Sequence, residues 1–373
     1  MSLLAGDPTR LPGMTNARPV RSLVLHPTYN FGAFLPETLE SIVSQADDRV
    51  QIVIVDGAST DHTPQVVAQW QQRFPHIKYI RRPARMGVDP DILESVRQAD
   101  GEYCWLFSAD DVLEPGAIAR VRDEMRHPWN AWLTNFTLCD LRLKRIEPHK
   151  VVAVTEPRTF DWRRPAERQA FLDLAQTSTA FFSFISGIVV RREAWNSVPE
   201  QTEFVGSCWI IAAQLFALAQ ASPGLVVRYH PGEALLKRGE NDSFMSQGLI
   251  RRLDLAVSGF RRVAHHYFGP RSPEAKAVSR VLKCETSAWQ LLHLRLRLEN
   301  PAELPAFDAL VTRHFCDGTF SDWLWKRFIL LPLPILKSLR WALRTARQLR
   351  SRGQGGETAA VATPATAHAS SPG

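Results

Sequence analysis

Three things are scarce in this chain of 373 residues, and each scarcity excludes a class of protein. There are only five cysteines and no C-x-x-C pair, which argues against a disulfide scaffold and a zinc site and fits a reducing compartment. The apolar run Phe328–Leu336 is far shorter than the ~20 residues that a membrane-spanning helix needs. Residues Met1–Pro19 lack the charged start and apolar core of a signal peptide, so we expect a loose arm on a protein that is not exported.

Acidic residues are nearly absent from one further segment. Between Ser321 and Arg352 there are eight lysines and arginines but only one acidic residue, Asp322. The net charge of this segment therefore equals the +7 of the whole chain. Because the rest of the chain is close to neutral, the charge does not indicate a nucleic-acid-binding domain. With 45% hydrophobic and 22% charged residues, the composition is that of a globular protein of one or two domains.

Apolar runs alternate with segments of helical spacing in the first third of the chain. The predicted strands are Ser22–Leu25, Val50–Val55, Ile77–Ile80, Tyr103–Phe107 and Ala131–Leu138. The predicted helices are Phe34–Gln45, Thr63–Phe74, Pro90–Gln98 and Pro115–Met125. This alternation predicts an α/β fold with a mainly parallel sheet flanked by helices.

The pattern is looser beyond residue 140. It predicts strands at Phe181–Val190 and Leu225–Tyr229, and helices at Trp209–Ala219, Phe244–Tyr267 and Glu274–Leu298. The last segment, Gly353–Gly373, is rich in Ala, Gly, Thr and Ser and is predicted to be disordered.

Polar residues follow three of the predicted strands, where an open parallel sheet binds its ligands. Single residues there, such as Ser59 and Asp61, are commonly caps of the next helix. Asp110 and Asp111 are harder to explain in that way, because adjacent carboxylates repel each other unless a cation lies between them and a ligand. A divalent ion held by one or two carboxylates and by phosphate oxygens meets this requirement.

Together these segments resemble a family 2 glycosyltransferase of the GT-A fold. The matching motifs are Thr28–Asn30, Ile52–Asp61 and Ser108–Asp111, and the segments Gly87–Ile92 and Trp105–Asp111 are closer to the bacterial abequosyltransferase-like subgroup. The resemblance implies a nucleotide-diphospho-sugar transferase with a helical C-terminal extension. It also implies inverting transfer from a nucleotide-sugar donor to a lipid-linked or polysaccharide acceptor in bacterial surface-glycan biosynthesis, with a divalent metal, Mn²⁺ or Mg²⁺, as cofactor.

The resemblance further implies a role for each matching residue. The implied nucleotide-sugar-binding residues are Pro27, Thr28, Tyr29, Asn30, Asp56, Ser59, Asp89 and Asp110. Among them, Tyr29 would lie beside the base, Asp56 would accept hydrogen bonds from the base or ribose, and Asp89 would lie over the ribose or sugar. Asp110 would hold the metal, and Asp111 would be a second ligand or face the sugar or acceptor.

Two positions depart from the family pattern. Ser108 stands where the first carboxylate of a D-x-D motif is usual, and its hydroxyl is either a weaker metal contact or a simple turn residue. The expected Glu-Asp pair that supplies the catalytic base is missing from 191–207. This leaves Glu203 or Asp111 as the base, with a solvated loop residue as the alternative for Glu203. These departures keep open a second hypothesis, a degenerate relative that binds nucleotide sugar or glycan without turnover.

Three other segments contain charged or polar residues of the kinds found in active sites. Lys237–Asn241 either closes on phosphates or is a solvated loop, and Ser183–Gly187 either lines the acceptor side or forms a packed strand. His265 and His266 have no spaced acidic partner and are not predicted to bind a metal. No glycine-rich loop follows Leu25, which argues against a nucleotidylyltransferase and a Rossmann oxidoreductase.

The basic segment 321–352 also contains aromatic and apolar residues. Near one helical face fall Ile335, Leu336, Leu339, Leu343 and Leu349. Cations opposite such a face are typical of an interfacial helix on an anionic membrane. A helix packed on the catalytic domain, or contact with RNA or DNA, is the alternative.

The sequence thus predicts five segments. They are a flexible arm (1–19), a GT-A domain (20–240), a helical region (241–320), a basic amphipathic membrane-surface segment (321–352) and a disordered tail (353–373). We expect a cytoplasmic protein that is peripheral on the inner face of the cytoplasmic membrane, with no nucleic-acid partner.

Overall fold

The computed structural model describes residues 22–298 and 300–354. The strands are β1 Ser22–Thr28, β2 Val50–Asp56, β3 Ile77–Arg81, β4 Tyr103–Leu106, β5 Val112–Leu113, β6 Ala131–Cys139, β7 Arg145–His149, β8 Arg158–Asp161, β9 Ile188–Arg191 and β10 Val226–Lys237. The helices are α1 Leu35–Val43, α2 Thr63–Arg73, α3 Val88–Arg97, α4 Ala117–Glu124, α5 Pro165–Leu174, α6 Arg192–Trp195, α7 Ile210–Gln220, α8 Leu249–Asp254, α9 Phe260–Phe268, α10 Pro273–Glu285, α11 Ala288–Arg297, α12 Leu304–His314, α13 Phe320–Ile329 and α14 Leu333–Gln354.

The strands form one mixed sheet in the order β3-β2-β1-β4-β9-β6-β10-β5, with β7 paired to β6 and β8 to β10. Strands β1 to β4 are parallel, and β10 is parallel to β6. Strand β9 is antiparallel to both of its neighbours, β4 and β6, so β6 and β10 run in the same direction as β4. The predicted α/β fold with a mainly parallel sheet is confirmed, with β9 reversed inside it.

One edge of this sheet collects the chain segments that matter for function. Thr28, Asp56 and Arg81 are in register at the carboxyl ends of β1, β2 and β3. Because β4 and β10 run in the same direction, the residues after β4 and Lys237 at the end of β10 lie along that edge too. The reversed strand β9 begins there, at Ile188. Ligands of open α/β sheets bind at this edge.

The burial of β2 explains why its sequence is a continuous apolar run. Residues Ile52–Val55 have no exposed surface, as expected for a strand covered by helices on both faces. In α1, Leu35, Leu39 and Ile42 recur at helical spacing and are also fully buried. The spacing of apolar residues therefore sets the layers of the fold.

The predicted strand Phe181–Val190 is wrong over its first half. Residues Ser178–Phe181 and Ile185–Gly187 form 3₁₀ turns, and the extended strand β9 begins only at Ile188. Phe182 between the turns has a φ of 69°, a left-handed conformation that interrupts an extended chain. Apolar content alone did not distinguish packed turns from a strand.

The two long helices predicted beyond residue 240 are each broken. In the first, Gly248 with a φ of 91° separates a 3₁₀ turn from α8, and a π-helical turn at Leu255–Gly259 joins α8 to α9. In the second, α10 ends before a capping box, in which Ser287 and Gln290 exchange hydrogen bonds at the start of α11. Strand β10 extends to Lys237, well past the predicted end at Tyr229.

The chain divides into two compact units, the first ending at Glu285 and the second beginning at Thr286. The first contains the sheet and α1 to α10, and the second contains α11 to α14, so the predicted helical region 241–320 is shared between them. In the second unit the rings of Trp289 and Trp325 meet edge to face at 5.3 Å. No helix within the described residues is both long and apolar enough to cross a bilayer.

The predicted arm 1–19 and the predicted tail from residue 355 onward lie outside the described residues. The first two residues of the predicted tail, Gly353 and Gln354, form the end of α14.

Candidate active site

The loops that follow β1 and β2 are tied together by hydrogen bonds. Asn30 has a φ of 59°, which Asn tolerates, and its Oδ1 accepts from the N–H of Thr60 at 2.8 Å. The N–H of Asn30 donates to Oγ of Ser59, also at 2.8 Å. Asp61 accepts from the N–H and the hydroxyl of Thr63 at the start of α2. Burial of Asp61 opposes ionisation, but these hydrogen bonds outweigh it and hold its pKa below the usual value. Asp61 is therefore a helix-start residue, and Ser59 supports the neighbouring loop.

Asp56 is fully buried and its carboxylate is already bonded. It accepts from the N–H of Ser59 at 2.8 Å and from the hydroxyl of Tyr79 at 2.5 Å, and Arg81 Nε lies 3.8 Å away. Burial and the adjacent carboxylate raise the pKa of Tyr79, which keeps its hydroxyl a donor. Asp56 reaches a ligand directly only if Ser59 or Tyr79 gives up its bond.

The other predicted nucleotide residues lie beside this carboxylate. The hydroxyl of Thr28 is buried and has no hydrogen-bond partner among the described residues. Pro27 and Tyr29 are half-buried, and the guanidinium of Arg85 lies 4.1 Å above the centre of the Tyr29 ring. A cation over an aromatic ring stabilises that ring's position.

Asp89 is buried at the start of α3 and anchors a distant loop. Its Oδ2 accepts from the N–H groups of Gly206 and Cys208 at 2.8 and 2.9 Å. Burial raises the pKa of Asp89, while these amide bonds act in the opposite direction. The loop before α7 therefore depends on Asp89 for its position.

Asp110 differs from these carboxylates in what it accepts. One oxygen accepts from the hydroxyl of Ser108, and the other accepts from Nδ2 of Asn241 at 3.0 Å. Both donors are side chains, whereas Asp56, Asp89 and Asp111 each accept at least one main-chain N–H. Asp110 retains 8% of its surface exposed. Side-chain donors can rotate away without moving the backbone, so this carboxylate is the one that is free to exchange partners for a ligand.

Asp111 points into the protein. Its Oδ2 accepts from the hydroxyl of Ser186 at 2.5 Å and its Oδ1 from the N–H of Arg238 at 3.0 Å. Burial, together with the neighbouring charge of Asp110, raises the pKa of Asp111 to about 8. Ser186 also accepts from the N–H of Ser108 at 2.9 Å, so it joins both ends of the Ser108–Asp111 turn.

Arg238 is a buried cation that fixes the loop after β10. Its guanidinium donates to the carbonyls of Asp110 at 2.9 Å and Leu141 at 2.6 Å, and to the carboxylate of Glu37. A Cβ added at Gly239 would lie 2.3 Å from the carbonyl oxygen of Cys139, which only glycine allows. Of the two alternatives for Lys237–Asn241, a solvated loop does not fit Arg238, which is buried and bonded to two carbonyls.

The Asp89 and Asp110 clusters are connected through neighbouring residues. Asn241 bonds Asp110, and the next residue, Asp242, forms an ion pair with Arg252 at 2.6 Å. Both of these charges act on the thiol of Cys208, although burial and Asp89 are the larger causes that raise its pKa to about 12. Cys208 donates its N–H to Asp89. The segments 241–242 and 206–208 therefore lie near each other.

Glu203 lies elsewhere, on the side of the loop that faces α9. Its carboxylate is half-exposed, 3.5 Å from Nε2 of His266, and Arg262 donates to its carbonyl at 3.5 Å. None of its hydrogen bonds within the described ranges reaches Asp110 or Asp111, so the sequence-predicted base is not part of that cluster. In the same residues no group of three or more His, Cys, Asp or Glu is placed to hold a metal.

The donor atoms around Asp110 suit a hard divalent ion. Asp110 supplies carboxylate oxygens and Ser108 a hydroxyl, while Asn241 presents its amide nitrogen to Asp110. Mg²⁺ or Mn²⁺ bound with a diphosphate needs only one or two protein carboxylates. Asp111 is more deeply buried than Asp110, and one of its two donors is the main-chain N–H of Arg238, which cannot rotate away. Of the two predicted metal ligands, Asp110 is therefore the one that fits.

The residues that sequence reasoning missed are Ser186 and Tyr79. Ser186 lies inside a segment that was predicted to be a strand, and Tyr79 alternates with apolar residues in β3. Neither has a local pattern that predicts its carboxylate partner.

Solved structures with the same architecture identify the fold class. TarS from S. aureus, in complex with UDP-GlcNAc, superposes with a TM-score of 0.57 at 14% identity, covering 81% of this chain and 83% of that chain. The mannosyltransferase PcManGT from Pyrobaculum calidifontis, in complex with GDP-Man and Mn²⁺, gives 0.50 at 18% identity, covering 87% of each. The fold of the chain is therefore the GT-A fold.

Sequence comparison places the chain within that class. The family described as Glycosyl transferase family 2 matches residues 23–194. Abequosyltransferase RfbV from Salmonella typhimurium is 28% identical over 262 residues, which is 69% of this chain and 78% of the relative. Residues 23–194 thus form a family 2 glycosyltransferase domain, and the chain is similar to the bacterial abequosyltransferase, which confirms the resemblance found in the motifs.

Replacing Arg238 by lysine should destabilise the protein by about 1–3 kcal/mol, because one ammonium group leaves buried carbonyls unsatisfied. Urea unfolding measures the change. The control is Arg73→Lys, which alters an exposed ion pair with Glu40 and should cost less than about 0.5 kcal/mol. Equal stability of the two variants would contradict the anchoring role.

Adding a methyl group at Gly239 should displace the loop that carries Arg238 and Asn241. We expect Gly239→Ala to lose about 1–3 kcal/mol of stability through overpacking against Cys139. The matched control is Glu240→Gly, since Glu240 has a φ of 58° and glycine adopts that conformation without strain. Thermal unfolding distinguishes them, and a Gly239→Ala variant as stable as the control would show that the close approach is not required.

Proposed function

We propose that this enzyme moves a sugar, with inversion, from a nucleotide-sugar donor to a lipid-linked or polysaccharide acceptor in bacterial surface-glycan biosynthesis. The names of its relatives support the substrate class, since RfbV is an abequosyltransferase and TarS and PcManGT were solved with UDP-GlcNAc and GDP-Man. The observation that carries the proposal is Asp110, a carboxylate held only by side-chain donors, at the sheet edge that also holds Thr28 and Asp89.

In this proposal the ends of β1 and β2 receive the nucleoside. The free hydroxyl of Thr28 offers a hydrogen bond, and the Tyr29 ring, positioned by Arg85, offers an aromatic surface to a base. Asp56 acts through Ser59 and the hydroxyl of Tyr79, which it orients. Pro27 and Asn30 shape the loop, and Asp89 holds the 206–208 loop beside the ribose or sugar.

Asp110 is proposed as the ligand of a divalent metal, Mn²⁺ or Mg²⁺, with Ser108 and Asn241 beside it. PcManGT was solved with Mn²⁺, which supports a metal of this kind. Such an ion, when bound, supplies positive charge opposite the negative charge that develops on the leaving diphosphate. Asp111 then has a supporting role, because its bonds to Ser186 and Arg238 fix the turn that carries Asp110.

The acceptor hydroxyl has to pass its proton to a carboxylate. The two predicted bases are Glu203 and Asp111. Glu203 is the more accessible of the two, because half of its side chain is exposed and Nε2 of His266 lies 3.5 Å from its carboxylate, but it lies outside the Asp110 cluster. Both oxygens of Asp111 already accept hydrogen bonds.

Nucleotide binding tests the donor site. We expect one of UDP, GDP, CDP and dTDP to raise the unfolding temperature of the wild type in the presence of Mn²⁺ or Mg²⁺. A ligand at 100 times its Kd stabilises a protein by about 2.7 kcal/mol. Asp110→Ala should lose the metal-dependent part of that shift and all sugar transfer.

The matched control is Asp123→Ala, which removes an exposed carboxylate paired only with exposed Arg126. It should behave as the wild type. A metal-dependent shift that survives in Asp110→Ala would overturn the metal role. Nucleotide binding without turnover of any nucleotide sugar would favour the degenerate relative.

We further propose that the second unit binds an anionic membrane on the cytoplasmic side. Large apolar side chains are exposed on three of its helices. They are Trp289 on α11, Phe320, Trp323 and Leu324 on α13, and Ile335, Leu339 and Trp341 on α14. Phe320 and Trp341 keep 76% and 70% of their surface exposed. Exposed aromatic residues beside a surplus of cations suit the interface of an anionic bilayer.

The structure changes which residues this proposal uses. Leu336, predicted on the membrane-facing side of the helix, is buried, whereas Phe320 lies just outside the predicted segment and is exposed. The apolar surface therefore includes α13 as well as α14. The positive charge of residues 321–352 supports the same proposal, because each cation near an anionic surface adds about 1 kcal/mol of binding free energy.

Vesicle co-sedimentation tests the membrane proposal. Wild-type protein should pellet with vesicles of phosphatidylglycerol and phosphatidylethanolamine but not with pure phosphatidylcholine. Raising the salt concentration to about 0.5 M should weaken binding, because salt screens the attraction between the cations and the anionic lipids. A Phe320→Ser/Trp323→Ser/Trp341→Ser variant should bind at least about tenfold more weakly, as expected when apolar area no longer inserts.

The matched control for that variant is Met86→Ser/Ile146→Ser, which removes two similarly exposed apolar side chains from the first unit. It should pellet as the wild type does. Equal losses in both variants, or none in either, would exclude the α13–α14 surface as the anchor.

A further inference from the structure

A second polar cluster lies at the sheet edge, beyond the residues proposed for the donor. The turn segment 177–187 connects the two clusters. At one end, Ser186 donates to Asp111 at 2.5 Å. At the other end, the N–H of Ser178 donates to Oε1 of Glu285 at 2.7 Å, and its hydroxyl lies 2.9 Å from that of Ser183. The segment that fixes the donor turn therefore also builds this second cluster.

Glu285 is the last residue of α10 and is exposed as a residue. The atoms around it nevertheless desolvate it enough to raise its pKa, against the bonds from Ser178 and the charge of Lys237. Of its two oxygens, Oε1 accepts the Ser178 amide, which sets the orientation of the carboxylate toward solvent.

Lys237 is the common neighbour of the groups in this region. Its ammonium lies 5.3 Å from the centre of the Phe184 ring, and its positive charge acts on Asp111, His149 and Glu285. Within residues 22–298 and 300–354, no carboxylate oxygen lies within ion-pair distance of its ammonium group. The neighbouring Arg238, in contrast, pairs with Glu37. A half-buried cation without a fixed partner is a binding group for polar ligand atoms.

The floor beneath these groups is aromatic and neutral. His149 stacks on Phe136 at 4.4 Å, and Phe136 contacts Phe184, also at 4.4 Å. Burial and the charge of Lys237 lower the pKa of His149 to about 4, so the ring is neutral at ordinary pH. Its Nε2 is 3.2 Å from the hydroxyl of Thr177. A neutral imidazole and a hydroxyl can both donate and accept hydrogen bonds.

We infer that this cluster, formed by His149, Ser178, Ser183, Phe184, Lys237 and Glu285, is the subsite that binds a saccharide of the acceptor. Sugar hydroxyls both donate and accept hydrogen bonds, and the cluster presents acceptors, donors and an aromatic ring within one turn segment of the donor site. Glu285 accepts a hydrogen bond from an acceptor hydroxyl, and Ser183 and Lys237 donate. The inference rests on the proposed glycosyl transfer, since it assigns the second substrate of that reaction.

Saturation-transfer NMR with simple sugars tests this subsite in the full chain. The probes are the methyl glycosides of glucose, galactose, mannose, rhamnose and N-acetylglucosamine. At least one should give a signal with wild-type protein. Glu285→Gln and Ser183→Ala should each weaken that binding by tenfold or more while keeping the wild-type thermal shift with nucleotide and metal, a combination that a merely structural role would not produce.

The matched control is Glu193→Gln, a carboxylate that is 81% exposed and paired only with Arg191. It should bind glycoside as the wild type does. The subsite is overturned if no glycoside gives a signal, if the signal survives in both variants, or if Glu193→Gln loses it equally. If the wild type fails to bind any nucleotide, it is the proposed transferase function that fails, and the acceptor assignment fails with it.

Discussion

The arrangement of the site depends on the buried guanidinium of Arg238, because segments far apart in the sequence meet on it. It joins Glu37 on α1, the carbonyl of Asp110 after β4 and the carbonyl of Leu141 after β6. A buried cation is costly unless its donors find partners, so losing any one of these contacts leaves part of that cost uncompensated. The loop that carries Arg238 also brings Asn241 to Asp110.

The carboxylates at the sheet edge divide by the kind of donor they accept. Asp56, Asp89 and Asp111 each accept main-chain N–H groups, which cannot withdraw without moving the loop to which they belong. These three therefore hold the shape of the site. Asp110 accepts only from side chains, so it can exchange Ser108 and Asn241 for a ligand at little cost to the backbone. Different carboxylates thus hold the loops in place and remain available to a ligand.

The turn segment 177–187 lies between the proposed donor site and the proposed acceptor subsite. Through Ser186 it fixes the turn that carries Asp110, and through Ser178 it orients Glu285. An extended strand would run straight along the sheet, whereas this segment forms 3₁₀ turns at both serines. The left-handed residue Phe182 lets the chain turn there instead.

The sequence by itself determined the layers of the fold and the positions of its strand ends. Apolar spacing predicted β2 and α1, and a match of ordered motifs predicted Asp56 and Asp110 at one edge, because such patterns are local and periodic. Only the tertiary structure decided which carboxylates are free and which are committed. Ser186 and Asp111, or Arg238 and Glu37, are far apart along the chain, and no local pattern records such a pairing. The breaks in the two long predicted helices lie at Gly248 and at the Ser287–Gln290 capping box, which are local signals that apolar spacing does not register.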